Sequence, residues 1–155
     1  MSIRKFQPLD VPAIIAVHQE AVIRINGKHY APEQVAAWLG DDGDKETRWA
    51  ASLSKNIAYV FEEQGSILGF GDLKPEGELR RLYVHPDHHG KGIGSTILQK
   101  LEAEAQALRL REIRLKSTIA ARTFYERRGY ENLGLTQHRF RNISIDIYNM
   151  RKSLP

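Results

Sequence analysis

The sequence contains no cysteine. Disulfide bonds, thiolate zinc sites and cysteine nucleophiles are therefore excluded. For the same reason, no acyl group can be carried on this chain as a thioester. Group transfer by a relay through a protein thiol is thus impossible.

Long apolar runs are also missing. No stretch approaches the roughly 20 apolar residues of a membrane span, and the N-terminal SIRKFQPLD lacks the apolar stretch of a secretion signal. We therefore expect a cytoplasmic protein without a membrane partner.

Positive and negative charges are nearly balanced in this chain. The chain has 23 lysines and arginines against 19 aspartates and glutamates, a formal net charge of +4, and no long basic block. This surplus suits anionic ligands without requiring nucleic acid. At 155 residues with 41% hydrophobic composition, the chain is predicted to form a single domain over residues 1–155.

Helical patterns dominate the first third of the chain. Asp10 followed by Pro12 predicts a helix start, with the Asp10 carboxylate as its cap. Apolar residues then recur at helical spacing up to a stop at Asn26-Gly27. Two more helices are predicted at residues 32–40 and around residues 49–53, on either side of an acidic loop at 41–44.

Strand patterns dominate the rest. A hairpin signal, EQGS, joins two runs of β-forming residues, and a third run follows PEG. An apolar stripe then predicts an amphipathic helix over 93–108, and a shorter helix is expected over about 120–128. The predicted strands cover residues 3–6, 57–62, 67–73, 78–84, 112–116, 131–140 and 143–151. This order indicates a mixed α/β sheet.

The segment HPDHHGKGIGSTIL places Gly90, Gly92 and Gly94 between a strand and a helix. Unpaired amides in such a loop, together with the positive end of the helix, form an anion site, and a Cβ would block the backbone from approaching phosphate. A glycine turn with a purely structural role is the alternative. The loop is neither a Walker A motif, because Gly92 follows Lys91, nor a dinucleotide fingerprint, because Ser95 stands where the third glycine belongs.

The strand before this loop, ELRRLYV, breaks the alternation of apolar residues across Arg80-Arg81. An extra residue there predicts a β-bulge, which bends the strand and leaves backbone amides unpaired near the loop.

Two segments together resemble the GNAT superfamily of acetyl-CoA-dependent N-acetyltransferases. LRRLYVHPDHHGKGIGSTIL is similar to the family's strand, pyrophosphate loop and helix, and TIAARTFYERRGY is similar to its later helix. INGKHYAPEQVAAW resembles a bacterial branch of that superfamily. The resemblance implies a mostly antiparallel sheet of six to seven strands flanked by helices, with a bulge and splayed strands at the cofactor site.

The resemblance also implies where coenzyme A binds. The pantetheine arm would lie along Leu82, Tyr83 and Val84, and the pyrophosphate would meet the backbone amides of His89, Gly90, Lys91, Gly92, Ile93, Gly94 and Ser95. Two residues depart from the family pattern: His89 replaces a usual Gln or Arg, and Thr118 replaces a usual Asn. We expect weakened rather than lost cofactor contacts. Arg122 is a further candidate for a CoA phosphate, its alternative being an exposed helix residue.

Acetyl transfer to an amine needs a neutral nitrogen, and an alkyl amine is neutral only about once in a thousand molecules at pH 7. Glu78 resembles the family's base, its alternative being a solvated residue after a turn. Tyr125 resembles the family's general acid, its alternative being a tyrosine packed beside Phe124. A backbone amide of Leu82 or Tyr83 could polarise the thioester carbonyl.

Other candidates depend on position. His29 and Tyr30 are candidate acceptor residues because they lie in the N-terminal helical insertion, as do Trp38 and Trp49, for which core packing is the stronger interpretation. The cluster His85, His88 and His89 lacks the helical spacing of a metal site, and no metal is expected.

We predict an N-acetyltransferase that binds acetyl-CoA and an amine together, the amine belonging to a small molecule or a protein, in a monomer or homodimer. A CoA-binding sensor or interaction module is the alternative from another class. A nucleic-acid-binding domain is disfavoured because no recognition helix or stacking-aromatic motif is present.

Overall fold

The computed structural model describes residues 2–40 and 43–155. Residues 41 and 42 of the predicted acidic loop lie outside the described part. The strands are β1 (Ser2–Lys5), β2 (Ile57–Glu63), β3 (Ser66–Leu73), β4 (Glu78–Val84), β5 (Glu112–Ser117), β6 (Glu131–Phe140) and β7 (Ile143–Ser153). The α-helices are α1 (Val11–Arg24), α2 (Pro32–Leu39), α3 (Lys45–Lys55), α4 (Ile93–Ala107) and α5 (Arg122–Glu126).

The strands form one sheet in the order β1-β2-β3-β4-β5-β7-β6. Tight turns make most neighbours antiparallel: Gln64 and Gly65, both with positive φ, connect β2 to β3. Only β4 and β5 run parallel, because α4 carries the chain across the sheet between them. The predicted mixed, mostly antiparallel sheet is confirmed.

Helices cover both faces of the sheet. α4 packs on β2, β3 and β4, while α1 and α3 pack on the opposite face and α2 lies against β7. The approach of α4 is close because β3 has glycine at two inward positions: a Cβ on Gly71 would lie 2.9 Å from Ile97 Cγ2. Seating α4 in this way fixes the position of the glycine loop at its N-terminus.

The bulge predicted in β4 is confirmed. Asp72 of β3 pairs with Arg81, whereas the next residue, Leu73, pairs with Leu79, so Arg80 has no partner in the ladder. Both Arg80 and Arg81 donate to the Ser52 hydroxyl, at 2.6 and 2.9 Å. The bulge therefore puts two consecutive arginines on the face covered by α3.

Some predicted details were wrong. Asp10 makes no side-chain cap to α1; it accepts from the Gln7 amide and forms an ion pair with Arg4 at 2.9 Å. Once its carboxylate is held by these two groups, it cannot also turn toward the helix. The short helix α5 is half its predicted length because turns flank it on both sides, and β7 extends to Ser153. Among the described residues, no helix is long and apolar enough to cross a membrane.

Candidate active site

The parallel strands β4 and β5 separate soon after they meet. They pair only at Glu78 with Arg114 and at Leu79 with Leu115, while the other edge of β4 stays paired to β3 as far as Val84. The edge of β4 over residues 82–84 therefore faces a gap, as predicted for splayed strands. A cavity of 210 Å³ fills this gap; we call it the slot. Its lining includes Asn26, Leu82, Tyr83, Val84, His89, Gly94, Thr118, Phe124 and Tyr125.

The glycine loop lies at one end of the slot. Within the described chain, none of the backbone amides of residues 90–95 donates a hydrogen bond to the protein, whereas the His89 amide makes a long one to Pro86 O at 3.4 Å. The first turn of α4 adds its positive end to these amides. Six donors without a partner in the described chain thus lie at the positive end of a helix, an arrangement suited to a diphosphate.

Two of the loop glycines have a backbone conformation that favours glycine. A Cβ on Gly90 or Gly92 would meet no described protein atom within 4 Å, and both residues have a φ near +80°. Backbone conformation therefore favours glycine at these two positions, and the predicted close approach of a phosphate stays a prediction. Only Gly94 is closely packed, since its Cβ would lie 3.4 Å from the Phe124 ring.

The two residues that depart from the family pattern both line the slot. The His89 ring lies 3.2 Å from the Val84 carbonyl oxygen and so covers part of the β4 edge. The Thr118 hydroxyl accepts from the Ala121 amide at 3.3 Å, which ties the end of β5 to α5.

Tyr125 lies in the wall of the slot. Its side chain is 6% exposed and packs edge-on against Phe124 and Tyr130. In the described part of the chain, no hydrogen bond occupies its hydroxyl. Burial raises the pKa of Tyr125, so at neutral pH the hydroxyl keeps its proton and can donate it.

An arginine that the sequence did not single out lies nearer the loop than Arg122. Arg122 pairs loosely with Glu126, at 4.0 Å, and lies over Tyr148, outside the slot lining. Arg128 instead donates to the Ser95 hydroxyl at 3.3 Å and stacks on Phe124 at 3.8 Å. The sequence contained one indication of this position: Arg128 follows Phe124 by four residues, one turn of helix, which favours contact between the two side chains.

A second cavity of 690 Å³ lies on the far side of Tyr83; we call it the large cavity. Tyr83 and Thr118 line both cavities. Tyr83 was predicted only as a backbone contact, but its ring stands between the two spaces. Burial raises its pKa, opposed by Arg81 and by the Trp38 indole. The sequence contained an indication of this position: side chains alternate along a strand, so Tyr83 lies on the opposite face of β4 from Leu82 and Val84.

Glu78 lies in the lining of the large cavity, not of the slot. Its carboxylate is 3.6 Å from Lys74 Nζ, and its side chain is 31% exposed. Both tryptophans line the same cavity: Trp38 stacks on Phe140, and Trp49 lies beneath the Arg81 guanidinium at 4.5 Å. Each tryptophan therefore contributes to packing and also faces the cavity.

His18 forms part of the floor of the large cavity. Its ring packs against Trp49 and Tyr83 with centroids 4.8 and 4.7 Å away, and its Nδ1 is buried without a partner. Burial, with help from Arg81 and Lys45, lowers the pKa of His18 to about 3. The imidazole is therefore neutral at physiological pH.

The candidate acceptor residues His29 and Tyr30 are not among the described residues that line either cavity. The Tyr30 hydroxyl donates to Asp146 O at 2.6 Å and accepts from the Ile119 amide at 3.1 Å. Both of its hydrogen-bonding roles are thus used to join β7 to the chain before α5. His29 is exposed.

The three loop histidines point to different partners. The rings of His85 and His88 meet edge-on, Lys91 Nζ lies 3.4 Å from His88 Nδ1, and His89 turns to Val84. Within the described ranges, no cluster of three or more histidines and carboxylates is arranged to hold a metal ion.

Known proteins resemble this chain in sequence. The family model of the acetyltransferase (GNAT) domain matches residues 26–154. The uncharacterized N-acetyltransferase YafP of Escherichia coli K12 is 29% identical over 133 residues, which cover 86% of this chain and 83% of that protein.

Solved structures superpose over nearly the full length. A GCN5-related N-acetyltransferase from Rhodopseudomonas palustris has a TM-score of 0.93 at 28% identity, covering 99% of this chain and 95% of that one. PaiA N-acetyltransferase from Thermoplasma acidophilum, in complex with coenzyme A, has a TM-score of 0.82 at 21% identity, covering 98% of both chains. The fold, the splayed strands and the family match agree with the sequence-based prediction: this chain belongs to the GNAT family and is an acetyl-CoA-dependent N-acetyltransferase.

Proposed function

We propose that the chain transfers an acetyl group directly from acetyl-CoA in the slot to an amine in the large cavity, with both bound at once. The observation that carries this proposal is the unpaired edge of β4, which joins the open amides of residues 90–95 at one end. Direct transfer is favoured because the chain has no thiol to hold the acetyl group.

Coenzyme A fits this site as an added strand. Its pyrophosphate would receive the loop amides, and its pantetheine amides would pair with residues 82–84. PaiA N-acetyltransferase, which shares this fold, is in complex with coenzyme A in its structure, and this supports coenzyme A as the ligand. Each hydrogen bond contributes only about 0.5–1.5 kcal/mol net, so the arm and the diphosphate must act together. The His89 ring has to leave the Val84 carbonyl if pantetheine bonds there.

The chemistry divides between the two cavities. Glu78, directly or through a water, takes the proton from the ammonium, and the neutral nitrogen then attacks the thioester carbon. A backbone amide of Leu82 or Tyr83 polarises the carbonyl oxygen. When the intermediate collapses, the C–S bond breaks and the Tyr125 hydroxyl donates its proton to the departing sulfur. The extra proton on the nitrogen that attacked is then lost through water and restores the tyrosine hydroxyl, which leaves a neutral amide and a free thiol. Because Tyr83 and Thr118 line both cavities, the amine and the thioester can meet beside them.

The second candidate is a CoA-binding sensor that has lost catalysis. The two departures from the family pattern, His89 and Thr118, favour it because both lie in the slot lining. A sensor binds coenzyme A but leaves acetyl-CoA intact in the presence of amines.

The test combines binding with turnover. We expect calorimetry to detect coenzyme A binding, and initial velocities against acetyl-CoA and an amine panel to give intersecting lines, as a ternary complex requires. The double variant Glu78→Gln/Tyr125→Phe should bind coenzyme A but lose turnover. Parallel lines would contradict direct transfer, unchanged turnover in the double variant would contradict the residue roles, and binding without any turnover would favour the sensor.

A further inference from the structure

Among the residues that the structure describes, the lining of the large cavity is far more basic than the chain as a whole. Lysines and arginines exceed carboxylates only slightly in the sequence, 23 against 19. Among the described residues that line the cavity, Glu78 is the one carboxylate. The lining cations come from α3, from β4 and its preceding turn, from β5 and from the end of β6: Lys45, Arg48, Lys74, Arg80, Arg81, Lys116, Arg139 and Arg141.

Only part of this positive charge is neutralised nearby. Arg81 makes a bidentate pair with the buried carboxylate of Asp72, at 2.9 and 2.6 Å, and Lys74 pairs with Glu78. For the part of the chain that the structure describes, no carboxylate lies within ion-pair distance of four others, which are Lys45, Arg80, Lys116 and Arg139.

Arg80 is the most constrained of these four. The bulge places it beside Arg81, and its one hydrogen bond within the described chain is to the neutral Ser52 hydroxyl, at 2.6 Å. Arg80 is exposed on the cavity wall, and partial desolvation together with the adjacent Arg81 charge lowers its pKa, so that its charge is held at a small cost. A bound anion would offset that cost.

A cation would meet the opposite situation. A polyamine in this cavity would place its second ammonium among these four cations, with the Glu78 carboxylate already shared with Lys74. Like charges at close range disfavour such a ligand.

We infer that the acceptor is a small amine whose other end carries a carboxylate or a phosphate, and that Arg80 and the neighbouring cations of the large cavity bind this acidic group. This inference rests on the proposed function and names its acceptor class. The amine faces Glu78, and the acidic group faces the basic wall two residues further along β4.

Matched acceptors test the inference. We compare kcat/KM for 4-aminobutyrate with its amide, 4-aminobutanamide, which differ by one charge at nearly equal size, and for O-phosphoethanolamine with ethanolamine, with spermidine as the cationic probe. We expect the acidic member of at least one pair to exceed its neutral partner by about tenfold or more. The carboxylate and phosphate arms identify which acid is preferred. The preference should shrink as ionic strength rises, because salt screens the attraction.

Variants locate the acidic group. Arg80→Gln and, on a separate strand, Arg139→Gln should raise KM for the acidic acceptor about tenfold or more while leaving the coenzyme A Kd unchanged. Arg151→Gln is the matched control: it also removes one positive charge, but its residue pairs with Glu131 outside the cavity, and kcat/KM should stay near that of the parent.

The outcomes separate the two proposals. Equal kcat/KM within both pairs, or a spermidine rate above those of the acids, overturns this inference while the transferase function stands. If coenzyme A binds but no amine is acetylated, the transferase proposal fails, and calorimetry of the same acceptors on the CoA-loaded protein decides the acidic preference. Arg80→Gln and Arg139→Gln variants indistinguishable from Arg151→Gln would also overturn the inference.

Discussion

Tyr125 and Tyr130 offer a matched pair of buried hydroxyls. Tyr125 lines the slot and its hydroxyl has no partner in the described chain, whereas the Tyr130 hydroxyl donates to Glu102 at 2.8 Å and Tyr130 lines neither cavity. Tyr125→Phe removes the proposed acid, so we expect turnover to fall about 10²–10⁴-fold with coenzyme A binding retained. Tyr130→Phe should cost only stability, about 1 kcal/mol. Steady-state kinetics beside urea unfolding separates the two effects, and equal turnover in both variants would remove Tyr125 from the mechanism.

His18 makes folding sensitive to acid. Below pH 6.5 the unfolded chain takes up a proton at this histidine, but the folded chain does not until the pH approaches 3, because burial lowers the pKa of His18 to about 3. The unfolded state then binds more protons than the folded state. The stability that depends on neutral His18 is therefore complete above pH 6.5 and decreases as the pH is lowered. Linkage gives a loss of about 2 kcal/mol between pH 7.5 and pH 5 from this one group.

The variant His18→Phe isolates this contribution. It keeps a flat ring between Trp49 and Tyr83 and removes the titrating group. Urea unfolding at pH 7.5 and pH 5 should show a smaller loss for the variant than for the parent, by about 2 kcal/mol. The same loss in both proteins would assign the acid sensitivity to other groups.

At the residue scale, the sequence predicted side chains whose role depends on a local motif. Tyr125 and the loop amides were predicted because the residues around them form a continuous pattern, and the structure places them in or beside the slot. Tyr30 was placed on the acceptor side from chain position alone, and the structure uses its hydroxyl to join segments 89 and 116 residues away. Contacts between residues so far apart in the chain cannot be predicted from the spacing of neighbouring residues.

At the element scale, the seating of α4 on β3 depends on glycine. A Cβ at Gly71 would lie 2.9 Å from Ile97 Cγ2 and 3.1 Å from Leu101 Cδ1. Gly71→Ala should therefore destabilise the fold by about 1–3 kcal/mol through overpacking. It should also weaken coenzyme A binding, because α4 carries the amides of the loop.

Gly43→Ala provides the control for that prediction. A Cβ there meets nothing within 4 Å among the described residues. We expect a change within about 0.5 kcal/mol. Urea unfolding and calorimetry of both variants measure the difference, and a Gly71→Ala protein as stable as Gly43→Ala would show that α4 can move without penalty.

Elements were predicted well where periodicity and turn residues agree. The β4 bulge followed from the broken alternation at Arg80-Arg81, and the β2–β3 hairpin followed from its glycine turn. The cap at Asp10 was wrong because Arg4, on a different element, competes for the same carboxylate. The five-residue α5 is too short for its periodicity to define its ends.

At the scale of the whole molecule, the gap between β4 and β5 makes the cofactor a structural partner. Only two residue pairs join these strands, so a ligand that lies in the gap contacts both sides of the sheet. At 100 times Kd, a ligand stabilises the folded state by about 2.7 kcal/mol, which corresponds to about 5–10 °C in Tm for a chain of this size. Thermal unfolding with and without coenzyme A measures this shift.

Adenosine 3′,5′-bisphosphate is the control for the thermal shift. It lacks the pantetheine arm, so at the same multiple of the coenzyme A Kd it should give a much smaller increase. Equal shifts from the two ligands would mean that the arm does not engage the β4 edge.

The basic lining of the large cavity could not be read from the sequence. Its cations lie on or next to α3, β4, β5 and β6, and in the chain they are interspersed with described carboxylates, such as Asp44 and Glu46, that are not part of the cavity lining. The net charge of the chain is the sum of all its charged residues, whereas substrate selection depends on the charged residues that the fold places together in the cavity.

Both tryptophans of the chain, Trp38 and Trp49, line the large cavity, and neither lies in the slot. Intrinsic fluorescence is therefore a native reporter of that cavity. An amine entering beside these indoles would alter their emission or shield them from a soluble quencher, whereas a ligand confined to the slot would leave the spectrum almost unchanged. Unlabelled protein can thus be screened optically for its acceptor before any product is assayed.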